Sequence, residues 1–427
     1  MSTSSTQKTI GILVGGGPAP GLNGVIHAVT ITAINSGYKV IGIMEGFKYL
    51  ASGEPQFVPL EIADVSRIHL KGGTILKTSR VNPTRFADTM RNAVNALHGA
   101  GITHLVSTGG DDTAFSAYSV SRFAQAEMGI DLRSVHVPKT IDNDLPLPEG
   151  IPTFGYETAR QVGTSLVRNI MEDALSTVRW YIVVAMGRKA GHLALGIGKS
   201  AGATLTLIPE EWAGEKIRLQ HVSDTIAGSI IKRLANGQSY GTALVAEGVM
   251  EMIDTTDLEF MKDIERDEHG HPRLAEVNSA AIIKHKTRDT LADLGVKLVI
   301  VDKELGYELR CADPCAFDID YTRTLGQAAV DFFNQGNTNA MITIQDNHAV
   351  PIPYDELMDA ETGRTGVRLV ETDSLAYRSA RRFMVRLEKQ DLENPAAVAR
   401  MAACTNLSAE AFVARFGYLG GLAPRPF

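Results

Sequence analysis

Short, strand-like apolar runs recur along this chain, most of them ending in glycine, proline or charge, with helical patterns between several of them. The runs cover residues 10–14, 40–44, 102–107, 135–137, 181–185, 204–208, 243–246 and 298–301. The helical patterns cover 22–35, 87–97, 113–127 and 157–175. A strand without polar alternation belongs in a sheet covered on both faces. Alternation of such strands with helices predicts an α/β chain with mainly parallel sheets. Sheets of that kind bind ligands beyond the carboxyl ends of their strands, and the informative polar residues of this chain all follow strand ends.

A length of 427 residues allows two or three domains. The formal net charge of −7 argues against a nucleic acid or an anionic membrane as partner. Any phosphate site must therefore be locally basic. Of three cysteines, Cys311, Cys315 and Cys404, the first two are spaced as a metal pair could be, but no second Cys/His pair with zinc spacing accompanies them, and the sparse, odd count fits partly buried thiols in a reducing cytoplasm. Residues 1–9 are polar, lack the apolar core of an export signal, and predict a frayed tail. No apolar run is long enough to span a bilayer. The charged, irregular stretch 247–286 predicts a surface excursion.

Seven segments carry chemistry. In Val14-Gly15-Gly16-Gly17-Pro18-Ala19-Pro20-Gly21-Leu22-Asn23 a strand passes through a glycine loop into a helix, a geometry that favours an anion. No Gly-Lys-Ser/Thr closes it, so it is not a Walker loop, and its glycine spacing is one residue too long for a dinucleotide fingerprint despite Glu45 ending the next strand. Lys71-Gly72-Gly73-Thr74, with Arg80 downstream, reads alone as a basic turn. Gly109-Gly110-Asp111-Asp112-Thr113 puts two acids at the cap of a helix starting at Thr113, where they serve either the helix or a hard cation. Pro138-Lys139-Thr140-Ile141-Asp142-Asn143-Asp144 offers an ion-pair network, or a base and a metal-orienting acid beside a lysine. Met186-Gly187-Arg188-Lys189-Ala190-Gly191-His192, with Arg179 at the entry to its strand, offers arginines suited to phosphate; His192 reads as a helix-start residue. Ala246-Glu247-Gly248 and Leu305-Gly306-Tyr307-Glu308-Leu309-Arg310 supply groups that suit sugar hydroxyls and a sugar phosphate.

Together and in this order, the segments from Lys8 to Gly326 resemble the phosphofructokinase family, and more closely its diphosphate-using branch. The resemblance implies two similar Rossmann-like three-layer domains with the active site in the cleft between them. It implies limits of 8–153 plus about 314–385 for a donor-binding domain and 154–313 plus about 386–427 for a sugar-phosphate domain, after a flexible tail at 1–7. It implies reversible, Mg²⁺-dependent phosphoryl transfer from diphosphate to D-fructose 6-phosphate, giving phosphate and fructose 1,6-bisphosphate. By motif position, Gly16 would contact the donor, Asp111 would bind Mg²⁺, and Asp142 would deprotonate the sugar hydroxyl. Thr140, Ile141 and Asp144 would position substrate or metal. Met186, Gly187 and Arg188 would hold the sugar and the moving phosphoryl group, Glu247 the sugar hydroxyls, and Tyr307 and Arg310 the 6-phosphate. Arg179 would reach that phosphate from a neighbouring subunit of a homodimer or homotetramer.

Family members that use ATP have glycine where Asp112 and Lys139 stand. Asp112 would fill the space of a nucleotide α-phosphate, and a like charge there opposes a third phosphate by on the order of 4 kcal/mol at an effective dielectric near 20. Lys139 would pair with Asp112 and bind diphosphate or the leaving phosphate. Pro18 and Lys71 depart from the acid and the arginine of the ATP enzymes, and no second intersubunit arginine stands near Val301. Four alternatives stay open at this stage: an ATP-dependent kinase, the same chemistry on sedoheptulose 7-phosphate, a non-catalytic sugar-phosphate-binding subunit, and an NAD-dependent dehydrogenase. Helical patterns at 374–389 and 395–403 predict packing elements without chemistry.

Overall fold

The computed structural model describes residues 7–212, 214–257, 278–357 and 365–422. They fall into two compact units, and the chain passes between them at 159/160, 306/307 and 368/369. Part of the predicted excursion at 247–286, and residues 1–6 of the predicted tail, lie outside the described residues. Among the described residues, no helix is long and apolar enough to cross a membrane.

The first unit holds a seven-stranded sheet. Its strands are β1 (Thr9–Val14), β2 (Lys39–Ile43), β3 (Phe57–Pro59), β4 (His104–Gly109), β5 (Arg133–Pro138), and, from the later part of the chain, β10 (Ala340–Gln345) and β11 (His348–Pro353). The spatial order is β11-β10-β5-β4-β1-β2-β3. The five central strands run parallel, and β3 and β11 flank them antiparallel. Alternate side chains of β1 serve opposite faces, as strand geometry requires. Ile10, Ile12 and Val14 join a core with Leu22, Val25, Ile26 and Val29 of the helix Leu22–Asn35 and Leu325, Ala329 and Phe333 of the helix Ala316–Asn334. Leu13 and Leu105 join a second core with Val94 and Leu97 of Ala87–Gly99 and Ala117 and Val120 of Asp111–Met128. The sheet is covered on both faces, which is why a central strand such as β1 reads as an apolar run.

The second unit holds an all-parallel sheet of β6 (Trp180–Ala185), β7 (Leu205–Leu207), β8 (Gly241–Ala246) and β9 (Ile300–Leu305), in the order β7-β8-β6-β9. The mainly parallel α/β expectation holds in both units.

Three expectations need correction. Strands β3, β10 and β11 were not anticipated; β3 and β11 are half-exposed edges without the apolar run. The pair Asp111 and Asp112 does not cap a helix starting at Thr113. The helix starts at Asp111 with Gly110 as its cap, so both acids lie in the first turn, where the helix dipole favours them. The pattern at 374–389 is not one helix: Leu375–Arg382 ends, the chain extends so that Val385 N–H reaches Thr204 O, and a short helix Lys389–Leu392 follows. The break lets Arg386 form a buried pair with Glu211, its Nη1 2.5 Å from the carboxylate.

Candidate active site

In each unit the chemistry-bearing loops gather where the strand order reverses. In the first sheet β1 lies between β2 and β4, although β4 comes after β3 in the chain. The glycine loop after β1 and the Gly110-Asp111-Asp112 segment after β4 therefore emerge side by side, at the switch point where such sheets bind ligands. Gly15 donates its N–H to Thr108 O at 2.9 Å, which ties the first loop to β4. A Cβ on Gly15 would lie 2.5 Å from Thr113 Oγ1, so only glycine fits. Gly16, with φ +78°, donates its N–H to Ser79 O at 2.9 Å. A phosphate beside Gly16 would thus meet its bare Cα face, and a Cβ built there would lie 3.5 Å from Lys139 Nζ.

Lys139 links the loops that follow β1 and β4. Its N–H donates to Gly109 O at 2.8 Å, and its Nζ donates to Gly17 O at 2.6 Å. Burial pushes its pKa down to about 8; Arg310 and Arg80 push the same way, and Asp142 and Asp144 oppose them. The lysine therefore joins the first loop to the Asp142–Asp144 loop and lies within the fields of two arginines and two carboxylates. Asp142 N–H donates to Thr140 Oγ1 at 3.0 Å, and Thr140 O accepts from Thr153 Oγ1 at 2.7 Å. Ile141 is buried, which leaves only its backbone for a polar ligand. Arg310, expected at a sugar 6-phosphate, lies against the loop after β1: a Cβ on Gly17 would be 3.5 Å from its Cζ. Its guanidinium also lies over the Tyr307 ring, 4.9 Å from the centroid.

In the second sheet β6 lies between β8 and β9, and the ends of all three carry predicted residues. After β6, Gly187 takes φ +137°, a conformation side chains rarely adopt, and its N–H donates to Glu247 Oε2 at 3.1 Å. Glu247 N–H donates to Ala185 O, and Gly248 N–H to Gly187 O. A Cβ on Gly306, just past β9, would lie 2.6 Å from Met186 Cε. Met186, Gly187, Arg188 and Glu247 are thus brought together. Arg179 is not among them. It precedes β6, at the opposite end of a six-residue strand, about 20 Å away at ~3.3 Å per residue, and it faces Asp173 at 4.0 Å. His192 starts the helix His192–Ala201, as expected.

Sequence reasoning missed several supporting residues. Asn23 is buried; its Nδ2 donates to Lys71 O and Gly72 O, and its Oδ1 accepts from Ile75 N–H, so it shapes the basic turn. His136, wholly buried, donates from Nε2 to Gly109 O at 3.0 Å and accepts from Ser107 Oγ at 2.8 Å through Nδ1. That tautomer follows because a carbonyl can only accept. Glu210 accepts N–H bonds from Gly191 and Val370, and burial raises its pKa. A single sequence gives no signal for these residues, because each acts on a segment distant in the chain.

Among the described residues, no three His, Cys, Asp or Glu side chains cluster closely enough to cage a metal by themselves. Magnesium does not need such a cage, since it keeps waters and takes one or two carboxylates together with substrate phosphates. The first unit's carboxylates, beside a loop shaped for phosphate, fit that mode. Cys311, Cys315 and Cys404 are free thiols.

The phosphofructokinase family pattern matches residues 9–333, and the chain belongs to that family. It is 51% identical over 394 residues to the pyrophosphate–fructose 6-phosphate 1-phosphotransferase of Thermotoga maritima, covering 91% of this chain and 93% of that protein. It is 47% identical over 427 residues to the protein of the same name from Naegleria fowleri, covering 98% and 97%. Phosphofructokinase of Pichia pastoris in the T-state superposes over 97% of this chain with a TM-score of 0.64 at 23% identity; this chain spans 39% of that one, and the likeness is one of fold. Family membership disposes of the dehydrogenase alternative. Glu45, its supposed ribose ligand, is engaged by Lys48 at 2.6 Å and Lys77 at 3.6 Å.

Proposed function

We propose that this chain transfers a phosphoryl group reversibly from diphosphate to the 1-hydroxyl of D-fructose 6-phosphate, yielding phosphate and fructose 1,6-bisphosphate. The observation that carries the reading is the buried Lys139, held on the Gly17 carbonyl and flanked by Arg310, Asp142, Arg80 and Asp144. Phosphoryl transfer needs in-line placement and neutralisation of charge more than covalent help. Lys139 and Arg310 supply positive charge where a small anionic donor would lie. Asp142 takes the proton of the attacking hydroxyl, and Asp144 and Thr140 fix the geometry around it. Asp111 would hold Mg²⁺, which when bound offsets charge on the donor oxygens. Asp112 adds a carboxylate in the same helical turn and opposes a longer polyphosphate tail.

The residues that follow β6, β8 and β9 in the chain suit the sugar and its phosphate. Arg188 neutralises charge on the moving group, Met186 and Gly187 shape the contact, and Glu247, which already orients Gly187, accepts from sugar hydroxyls. Tyr307, whose ring lies beneath the Arg310 guanidinium, fits a contact with the 6-phosphate. Arg179, remote from these groups along β6, fits a contribution to a neighbouring copy in a homo-oligomer. Free thiols fit a cytoplasmic setting.

The deciding experiment compares initial velocities with diphosphate and with ATP, using fructose 6-phosphate and Mg²⁺, in both directions, with sedoheptulose 7-phosphate as a second acceptor. Turnover with diphosphate in both directions is expected. Turnover with ATP alone would overturn the donor assignment.

A further inference from the structure

The segment carrying Asp142, Asn143 and Asp144 lies outside regular secondary structure, yet it is held firmly from one side. Asn143 takes φ +57°, a left-handed conformation that asparagine tolerates better than most residues. Its Oδ1 accepts from Thr153 N–H at 3.0 Å. Beyond it the chain turns several carbonyls in one direction, and one side chain meets them all. Arg368 Nε and Nη2 donate to Asn143 O at 3.2 and 3.0 Å, and Nη2 also reaches Asn143 Oδ1 at 2.5 Å. Its Nη1 donates to Leu147 O and Pro148 O, both at 3.3 Å, and to Ile151 O at 2.8 Å. Its own backbone N–H donates to Asp144 O at 2.8 Å. The guanidinium is partly buried, and Asp144 is the foremost charge favouring its ionised form.

We propose that Arg368 is a positioning residue for the Asp142 base, clamping the carbonyls of the 143–151 loop so that the carboxylates on either side of Asn143 are fixed. The chemistry is specific to arginine. Five N–H donors in a planar fork satisfy four separate carbonyls and one amide oxygen, whereas a lysine ammonium is a single point with three donors. Without the fork, those carbonyls must turn to water, and Asn143 loses a partner that holds it left-handed. A shift of about 1 Å at a base costs on the order of 10²-fold in rate. Because the base acts in the transition state, the loss falls on kcat and leaves KM little changed.

The inference rests on the reading of Asp142 as base, and the test separates the two. Arg368→Ala and Arg368→Lys are compared with the wild type by hydrogen–deuterium exchange of peptides covering 140–153, by kcat and KM for diphosphate and fructose 6-phosphate, and by rescue with guanidinium ion well below denaturing concentration. Expected are faster exchange confined to 140–153, kcat lower by on the order of 10²-fold in the alanine variant with both KM values little changed, partial rescue by guanidinium, and no recovery in the lysine variant. Unchanged exchange in 140–153, or unchanged kcat, overturns the clamp. A lysine variant that matches the wild type does so as well. If the wild type itself fails to turn over diphosphate, the functional reading falls, and the exchange data still decide whether Arg368 holds the loop.

Discussion

Lys139 Nζ lies 2.6 Å from the carbonyl oxygen of Gly17 and donates to it. One ammonium proton is thereby committed to the loop after β1, while the backbone of the same lysine is tied to Gly109 after β4. A single residue on β5's trailing loop thus ties both glycine loops together. Burial and the two arginines make that positive charge labile, with consequences that can be measured.

The first concerns pH. With its pKa lowered to about 8, Lys139 loses its charge as the pH rises through that value. The specificity constant kcat/KM for diphosphate reports the free enzyme and should fall over the same interval. In Lys139→Arg, whatever activity remains should not show that fall, because guanidinium stays charged. The same group should make the fold more stable as the pH climbs from about 8 towards 10.5, the ordinary lysine value, since there the unfolded chain binds the extra proton. A pH–rate profile that stays flat through 8 would remove Lys139 from donor binding.

A second prediction addresses the base. Asp142→Asn keeps the shape of the side chain and removes its basicity. A drop in kcat of at least ~10² is expected, with KM for fructose 6-phosphate little changed. Steady-state kinetics on the purified variant check this, and near-normal turnover would assign the proton to another group.

The donor forms a third case. Asp112→Gly together with Lys139→Gly removes the acid in the first helical turn and the buried ammonium. Diphosphate use should weaken and ATP should gain access. Parallel assays with the two donors decide it, and wild-type diphosphate kinetics in both single glycine variants would refute the account.

A fourth concerns acid. Burial lowers the His136 pKa to about 3 and the His104 pKa to about 4, so both imidazoles are neutral in the folded chain. Their contribution to stability is complete above 6.5, the ordinary histidine value, and is lost as the pH falls from there towards the folded values. Denaturant melts at successive pH values should show this slope, and His136→Asn should shed part of it. An unaltered slope in that variant would show that His136 is not a source.

Most of the parallel framework was legible because its strands are buried on both faces. The runs at 10–14 and 181–185 fall within one residue of β1 and β6, and the helix Leu22–Asn35 was read to its ends. Edge strands escaped because half-exposed backbone leaves no apolar signature; β11, with its two prolines, reads as loop. The helix expected at 374–389 failed because a tertiary pair, Arg386 with Glu211, overrides local preference. The site motifs announced themselves by glycine and charge after strands, whereas Arg368 meets Asn143 across 225 positions and no local pattern foretells it.

The parallel partner of β5 on its outer side is β10, which begins at Ala340. A nascent chain that has released the first five strands from the ribosome still exposes β5 as a raw hydrogen-bonding margin, and must keep it unpaired while some two hundred further residues are translated. The order in which this polypeptide is made thus leaves that margin open to mispairing until β10 arrives.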